Sequence, residues 1–421
     1  MLLKNTETTE STEKIYAENT QRTTKLTHYP KSKSLLPYFF FPHLCICMLV
    51  SRFNKLFVFF LLFPCILLEA QEIHQNSFWL SANAHYGFAI AHSPSMAYLV
   101  DGHCPGAELS ICKTTSGEKQ WQRAYNNPEI GISALYLYLS NPSQLGFGLS
   151  LHPYVNFPLI KKNRFGLNFK AAVSTGYLSK IFDPVINFKN SAIGSHFNGF
   201  VNLKLNVNHA LGKNYRLEYG IGLSHFSNGA FKMPNLGINI PTFNIGLGYR
   251  LPENSNTTHF NDTSINAMAG SNKLEITFIA AGFKAQVQPP GGTNYAAFTI
   301  SSSLDWKASQ KHRFLVGAEL GYNGGNIERL KVDTIFITKK SQMLQSGIKI
   351  GYALRIGNLE LPAEFGFYTH TLLKSNGAYF HRIGVRYYFS NNLIANFTLK
   401  THWAVADYWE CGIGYVFKNK K

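Results

Sequence analysis

The chain has 421 residues, of which 45% are hydrophobic, 14% aromatic and only 15% charged. Soluble globular domains carry about 25% charged residues. Here 33 Phe, 22 Tyr and 34 Gly take their place, which excludes a disordered chain, poor in aromatics, and a helical bundle, rich in Ala, Glu, Lys and Leu. The net charge of +17 raises nucleic acid as a partner. The basic residues are scattered singly, however, and spread positive charge suits an anionic lipid surface. Charge alone leaves both open, lipid being an equally good partner; the motifs below favour membrane lipid, and no nucleic acid, as the partner.

Residues 1–47 form a leader, polar and rich in Thr, Lys and Glu up to residue 35, that reads as disordered or untranslated. Residues 48–70 read as a signal peptide. Arg52 and Lys55 supply its positive start, Leu56 to Leu68 its apolar run, and Leu68-Glu69-Ala70 its cleavage site before Gln71. That run is too short to span a bilayer as a helix. The mature chain is expected to begin near Gln71, and N-terminal sequencing of membrane-extracted protein checks it; a mature chain retaining Thr24 or Tyr29 contradicts it.

From residue 75 onward the hydrophobic period is two. In Asn214–Asn228 one face carries Tyr215, Leu217, Tyr219, Ile221 and Leu223, and the other Arg216, Glu218, Gly220 and Gly222. The stretch is about 14 residues long, against about 5–6 for ordinary strands. The same alternation returns in Phe243–Leu251 and in Trp409–Phe417. Long alternating strands, aromatic strand ends and an export signal without a spanning helix predict an all-β fold, a transmembrane antiparallel β-barrel of about 14–16 strands. The strands fall near 80–91, 131–139, 145–157, 165–180, 197–211, 214–228, 237–251, 274–287, 294–308, 312–323, 343–356, 359–371, 379–389, 392–404 and 408–418, with a further segment near 107–115. A polar, turn-like seam at Pro252–Asn272 divides the mature part, 71–421, into 80–251 and an extension, 274–418. One large barrel is the expectation, with two separate barrels as the other reading. Ile221, Leu223, Ile245 and Leu247 are expected to face lipid and Arg216, Glu218 and Arg250 the lumen, so that an arginine is better tolerated at Asn244 than at Ile245.

Of six cysteines, Cys45, Cys47 and Cys65 lie upstream of the cleavage point. Cys104 and Cys112 could form a local disulfide, and Cys411 stands in the last strand. No zinc-type Cys/His spacing appears, and the reading calls for no metal and no cofactor.

His225 and Ser227 stand on the apolar face of their strand, where polar groups are costly unless paired. With the following hairpin centred on Lys232, His225 lies opposite Asn239 and Ser227 opposite Gly237. Directly opposed residues have Cβ atoms about 4.5–5.5 Å apart. A nucleophile, a base and a group that orients the base can therefore converge on the outside of a barrel. His92-Ser93 and Ser195-His196 have no acidic partner nearby in sequence and read as structural or lumen-facing.

The segment His225-Phe226-Ser227-Asn228-Gly229, followed by Lys232-Met233-Pro234-Asn235-Leu236-Gly237, resembles the signature of outer-membrane lipid A 3-O-deacylases, the acyloxyacyl hydrolase-type proteins: His-x-Ser-Asn, then Pro-Asn-x-Gly, on the last hairpin of a small barrel. His85-Tyr86-Gly87-Phe88 with His92-Ser93, Trp121 to Tyr125 with Pro128, and Asn187 to Asn198 are similar to larger relatives from Bacteroidetes-type bacteria. The resemblance covers roughly residues 80–251; beyond 270 only barrel-like patterning continues.

It implies a serine esterase in the outer membrane of a Gram-negative bacterium that removes the ester-linked acyl chain from position 3 of lipid A in lipopolysaccharide. Ser227 would be the nucleophile and His225 the general base and acid. Asn239 stands where the known members place a glutamate, and can hold the imidazole tautomer without stabilising an imidazolium. Asn228, Gly229 and Asn235 are candidates for oxyanion and substrate contacts, or else a plain turn-forming loop. Lipopolysaccharide and outer-membrane lipids are the implied partners, with a homodimer left open. The alternatives are a non-catalytic barrel, porin-like or structural, and a lipid-binding or acyl-transferring barrel using the same external groove.

Overall fold

In the computed structural model, residues 77–252, 274–403 and 405–418 are described. The leader, the signal peptide with its cleavage site, and nearly all of the polar seam lie outside them. Sixteen antiparallel strands follow in chain order: β1 (Phe78–Phe88), β2 (His103–Thr114), β3 (Glu129–Tyr138), β4 (Phe147–Lys161), β5 (Phe165–Leu178), β6 (Phe197–Ala210), β7 (Tyr215–Ser227), β8 (Ile238–Arg250), β9 (Leu274–Gln286), β10 (Asn294–Lys307), β11 (His312–Asn323), β12 (Leu344–Ile356), β13 (Leu359–His370), β14 (Tyr379–Tyr388), β15 (Leu393–His402) and β16 (Val405–Lys418). Two short helices, α1 (Gln120–Ala124) and α2 (Asn326–Val332), occupy loops.

The single large barrel expected from the sequence is replaced by two. Strands β1 to β8 close through β1–β8 pairing, with Ala84 opposite Ile245. Strands β9 to β16 close through β9–β16 pairing, with Ala280 opposite Ile413. The physical reason is at the seam: β8 returns to β1 and leaves β9 no free edge to join. Segment 107–115 is a full strand, β2, without which the first barrel would not close.

Alternation sorts each strand into two faces. Ile221, Leu223, Ile245 and Leu247 are exposed on the outer wall, whereas Arg216 and Glu218 are buried in the lumen and Arg250 is half-buried at a strand end. An apolar exterior with every strand edge paired is the arrangement a bilayer requires of β structure. Within the described residues no helix is long and apolar enough to cross a membrane.

The lumens are packed with side chains. In the first barrel Glu108 bonds Lys170, Lys204 (2.5 Å) and His85 (3.0 Å), and Glu218 accepts from Ser81, Asn83 and Arg216 at 2.8, 3.0 and 2.7 Å. In the second, Glu364 accepts from Lys349, Arg382 and Arg386 at 2.9, 2.8 and 2.5 Å. Small barrels leave room for side chains and little else. Asn244 is accordingly fully buried and bonded to Asn206 at 2.9 Å. An arginine there would have to displace packed lumen side chains, a cost that alternation alone does not show. Ile245→Arg on the outer wall is expected to cost about 2–4 kcal/mol if midplane, against about 0–1 kcal/mol for Leu211→Arg at the β6–β7 turn. Urea titration of the folded barrel in lipid distinguishes them; equal costs contradict the assigned depth.

Cys104 and Cys112 are both free and buried. They lie eight positions apart on one extended strand, which at about 3.3 Å per residue is far beyond disulfide reach. The sequence-based pairing is therefore corrected.

Candidate active site

At one end of the first barrel the lumen is apolar. Met96, Leu99, Leu137, Phe200, Phe226 and Ile238 belong to one buried cluster, with the Phe200 and Phe226 rings 4.8 Å apart. Phe226 and Ile238 point into it, so their neighbours on β7 and β8 point out. The outward side chains of His225, Ser227 and Asn239 thus stand on a wall backed by close-packed hydrocarbon, which holds the backbone beneath them.

The β7–β8 register pairs His225 with Asn239, and His225 Nδ1 lies 2.7 Å from Asn239 Oδ1. An amide oxygen only accepts, so Nδ1 carries the proton and Nε2 keeps a free lone pair. Asn239 Nδ2 in turn lies 3.3 Å from His92 Nδ1, and His92 Nε2 donates to the Leu236 carbonyl at 2.9 Å. Donors and acceptors match along the whole chain: Leu236 carbonyl, His92, Asn239, His225. His92 stands out in the sequence, but its partner lies 147 positions away, and local sequence carries no signal for that contact.

Ser227 Oγ accepts from Asn235 Nδ2 at 3.1 Å and from the Gly229 N–H at 3.3 Å. Asn235 Oδ1 accepts the Asn228 N–H at 2.8 Å and lies 3.2 Å from Ser227 Oγ. The serine proton therefore has Asn235 Oδ1 as its present acceptor; no hydrogen bond joins it to His225 among the described residues. The two side chains nevertheless flank one space. A Cβ placed on Gly237 would sit 3.1 Å from His225 Cε1 and 3.6 Å from Ser227 Cβ. Gly237 has φ +80°, a conformation glycine adopts without steric cost, and its missing side chain keeps that space open.

Of the three candidate oxyanion and substrate residues, Gly229 and Asn235 present donors to Ser227. Asn228 does not: its N–H goes to Asn235, and its side chain ties Ser195 Oγ (2.9 Å) to the Lys232 carbonyl (2.7 Å). Ser195 thus braces the loop, while His196 bonds the Leu178 carbonyl at 2.8 Å. Glu218 stays in the lumen. Among the described residues no group of three His, Cys, Asp or Glu side chains could hold a metal ion.

The fold defines a membrane-type β-barrel protein whose first barrel carries a His225–Asn239 pair and Ser227 on its outer wall. Residues 106–248 match the family model for lipid A 3-O-deacylase (PagL), and residues 265–419 match that for the acyloxyacyl hydrolase C-terminal domain. The chain belongs to the lipid A 3-O-deacylase family, ester hydrolases that act on lipid A. Its second barrel, which the sequence resemblance did not reach, falls within the C-terminal domain model.

A comparison with curated proteins returned no match. Among solved structures, Neisserial surface protein A is similar at 11% identity and a TM-score of 0.30, over 41% of this chain and 97% of that one. An outer-membrane channel from Pseudomonas putida F1 is similar at 9% identity and 0.20, over 83% and 97%. A Rhodopseudomonas blastica porin variant is similar at 9% and 0.18, over 81% and 100%.

Proposed function

We propose that this chain resides in the outer membrane of a Gram-negative bacterium and hydrolyses the 3-O-acyl ester of lipid A with Ser227, His225 and Asn239. The observation that carries the reading is the hydrogen-bonded His225–Asn239 pair two residues along β7 from Ser227, on the same outward face rather than in the lumen. Lipid A is itself a membrane lipid, and a site on the outer wall meets its acyl chains without extracting them. The apolar exterior and the family membership support the location.

In this mechanism Ser227 turns its hydroxyl from Asn235 Oδ1 to His225 Nε2. Oγ attacks the ester carbonyl as the proton passes to Nε2, forming a tetrahedral oxyanion. Gly229 N–H and Asn235 Nδ2 donate to that oxygen. Collapse breaks the ester C–O bond, the departing sugar alkoxide takes the proton from His225 Nε2 and leaves as the free hydroxyl, and an acyl-serine remains. Water then attacks with His225 again as base, and the fatty acid and free serine are regenerated.

Asn239→Ala is expected to slow the reaction less than loss of Ser227 or His225, because Asn239 only orients the imidazole. Asn239→Glu is expected to preserve or raise kcat, since a carboxylate accepts from His225 and also stabilises the imidazolium. An inert Asn239→Glu enzyme would give the asparagine another role.

Purified chain incubated with lipid A in detergent micelles tests the function: free 3-hydroxy fatty acid and lipid A lacking one acyl chain are expected. Acyl groups appearing on a second lipid instead would make the protein a transferase.

A further inference from the structure

The loop that carries the oxyanion donors, 228–235, is held by the second barrel as well as the first. Trp409, on β16, donates its indole Nε1 to the Asn228 carbonyl at 2.8 Å. Gln286, at the end of β9, donates its N–H to the Ala230 carbonyl at 3.0 Å and accepts the Met233 N–H at 2.7 Å. Phe231 stacks on Phe283 with ring centroids 5.7 Å apart. Where Ser227 pairs with Gly199 across β6, the indole fills the flank: a Cβ on Gly199 would meet its six-membered ring at 3.3 Å.

The bond to Asn228 has a consequence for chemistry. The Asn228 carbonyl and the Gly229 N–H belong to one planar trans peptide, so they point in opposite directions. Anchoring the carbonyl to Trp409 on one side aims the Gly229 N–H at Ser227 Oγ on the other. Gly229 has φ +64°, and a Cβ on it would lie 2.2 Å from the indole nitrogen. A glycine is required here because the indole passes so close. Glycine alone would also leave this peptide free to turn over, since it accepts both signs of φ.

We propose that Trp409 is a positioning residue for lipid A deacylation, through which the second barrel locks the Asn228–Gly229 peptide with its N–H facing the oxyanion. The proposal rests on the serine-esterase reading above. It gives the C-terminal barrel a role in the reaction without a catalytic residue of its own.

The test uses the full chain in lipid A-containing micelles. Replacing the Trp409 indole by its benzothiophene isostere, introduced as an unnatural amino acid, removes the N–H and keeps the shape. Trp409→Phe is the encoded counterpart. Losing an oxyanion donor outright costs about 10²–10³ in kcat. A donor left in place but free to turn is expected to lose about tenfold or more of kcat with KM unchanged, and the folded barrel's gel mobility is retained. Variants with kcat within twofold of the parent, or with a raised KM and unchanged kcat, overturn the proposal. A parent chain without deacylase activity, or one indifferent to Ser227→Ala, would instead remove the serine reading and this inference with it.

Discussion

Ser227→Ala and His225→Ala are each expected to lower kcat for lipid A deacylation by roughly 10⁴-fold or more while the barrel still folds. In serine hydrolases the nucleophile and base act as one unit, so removing either costs about as much as removing both. Neither side chain belongs to the buried cluster beneath the site, so folding does not depend on them. The double variant should be no slower than the worse single one. The rates of released fatty acid, measured beside heat-dependent gel mobility as the sign of a folded barrel, check both halves. Additive losses would separate the two residues; a fully active Ser227→Ala would end the serine mechanism.

The largest expected effect on stability lies in the lumen of the first barrel. Glu108→Ala leaves Lys170 and Lys204 facing one another with no carboxylate between them. Breaking a buried pair by removing one partner costs about 3–5 kcal/mol, because the remaining charge is uncompensated. Two such charges remain here, and failure to fold is the extreme outcome. Replacing Glu108, Lys170 and Lys204 together by methionine should recover much of the loss, since a well-packed apolar group often equals an ion pair in a core. Urea unfolding in lipid measures both. A Glu108→Ala cost below about 1 kcal/mol would mean that the lumen is wetter than its packing indicates.

Much of this architecture is written in the alternation. The period of two placed the strands and their faces, including Arg216 and Glu218 inward and Ile245 and Leu247 outward. It set His225 opposite Asn239 only once the hairpin was centred on Lys232; the ten residues between β7 and β8 do not fix that register locally, and the β7–β8 pairing supplies it. The number of barrels was not legible. Closure depends on which strand edges find each other, and β8 returning to β1 is a pairing across more than 150 positions that no local pattern encodes. Lumen packing was equally hidden: alternation says that Asn244 faces inward, not that it is fully buried and bonded to Asn206. His92 and Trp409 were missed for the same reason. Each reaches the site from a distant loop or from the other barrel, so their roles exist only in the folded contacts.

Mass spectrometry of lipid A from cells that express the intact chain, set against cells that express Ser227→Ala, tests the central claim most directly. With the intact chain, lipid A should lose the mass of one ester-linked hydroxyacyl group, and the lost group should map to position 3. With Ser227→Ala present in the membrane at equal amount, lipid A should keep its full acylation. Deacylated lipid A in the Ser227→Ala cells, or fully acylated lipid A in both, would contradict the account.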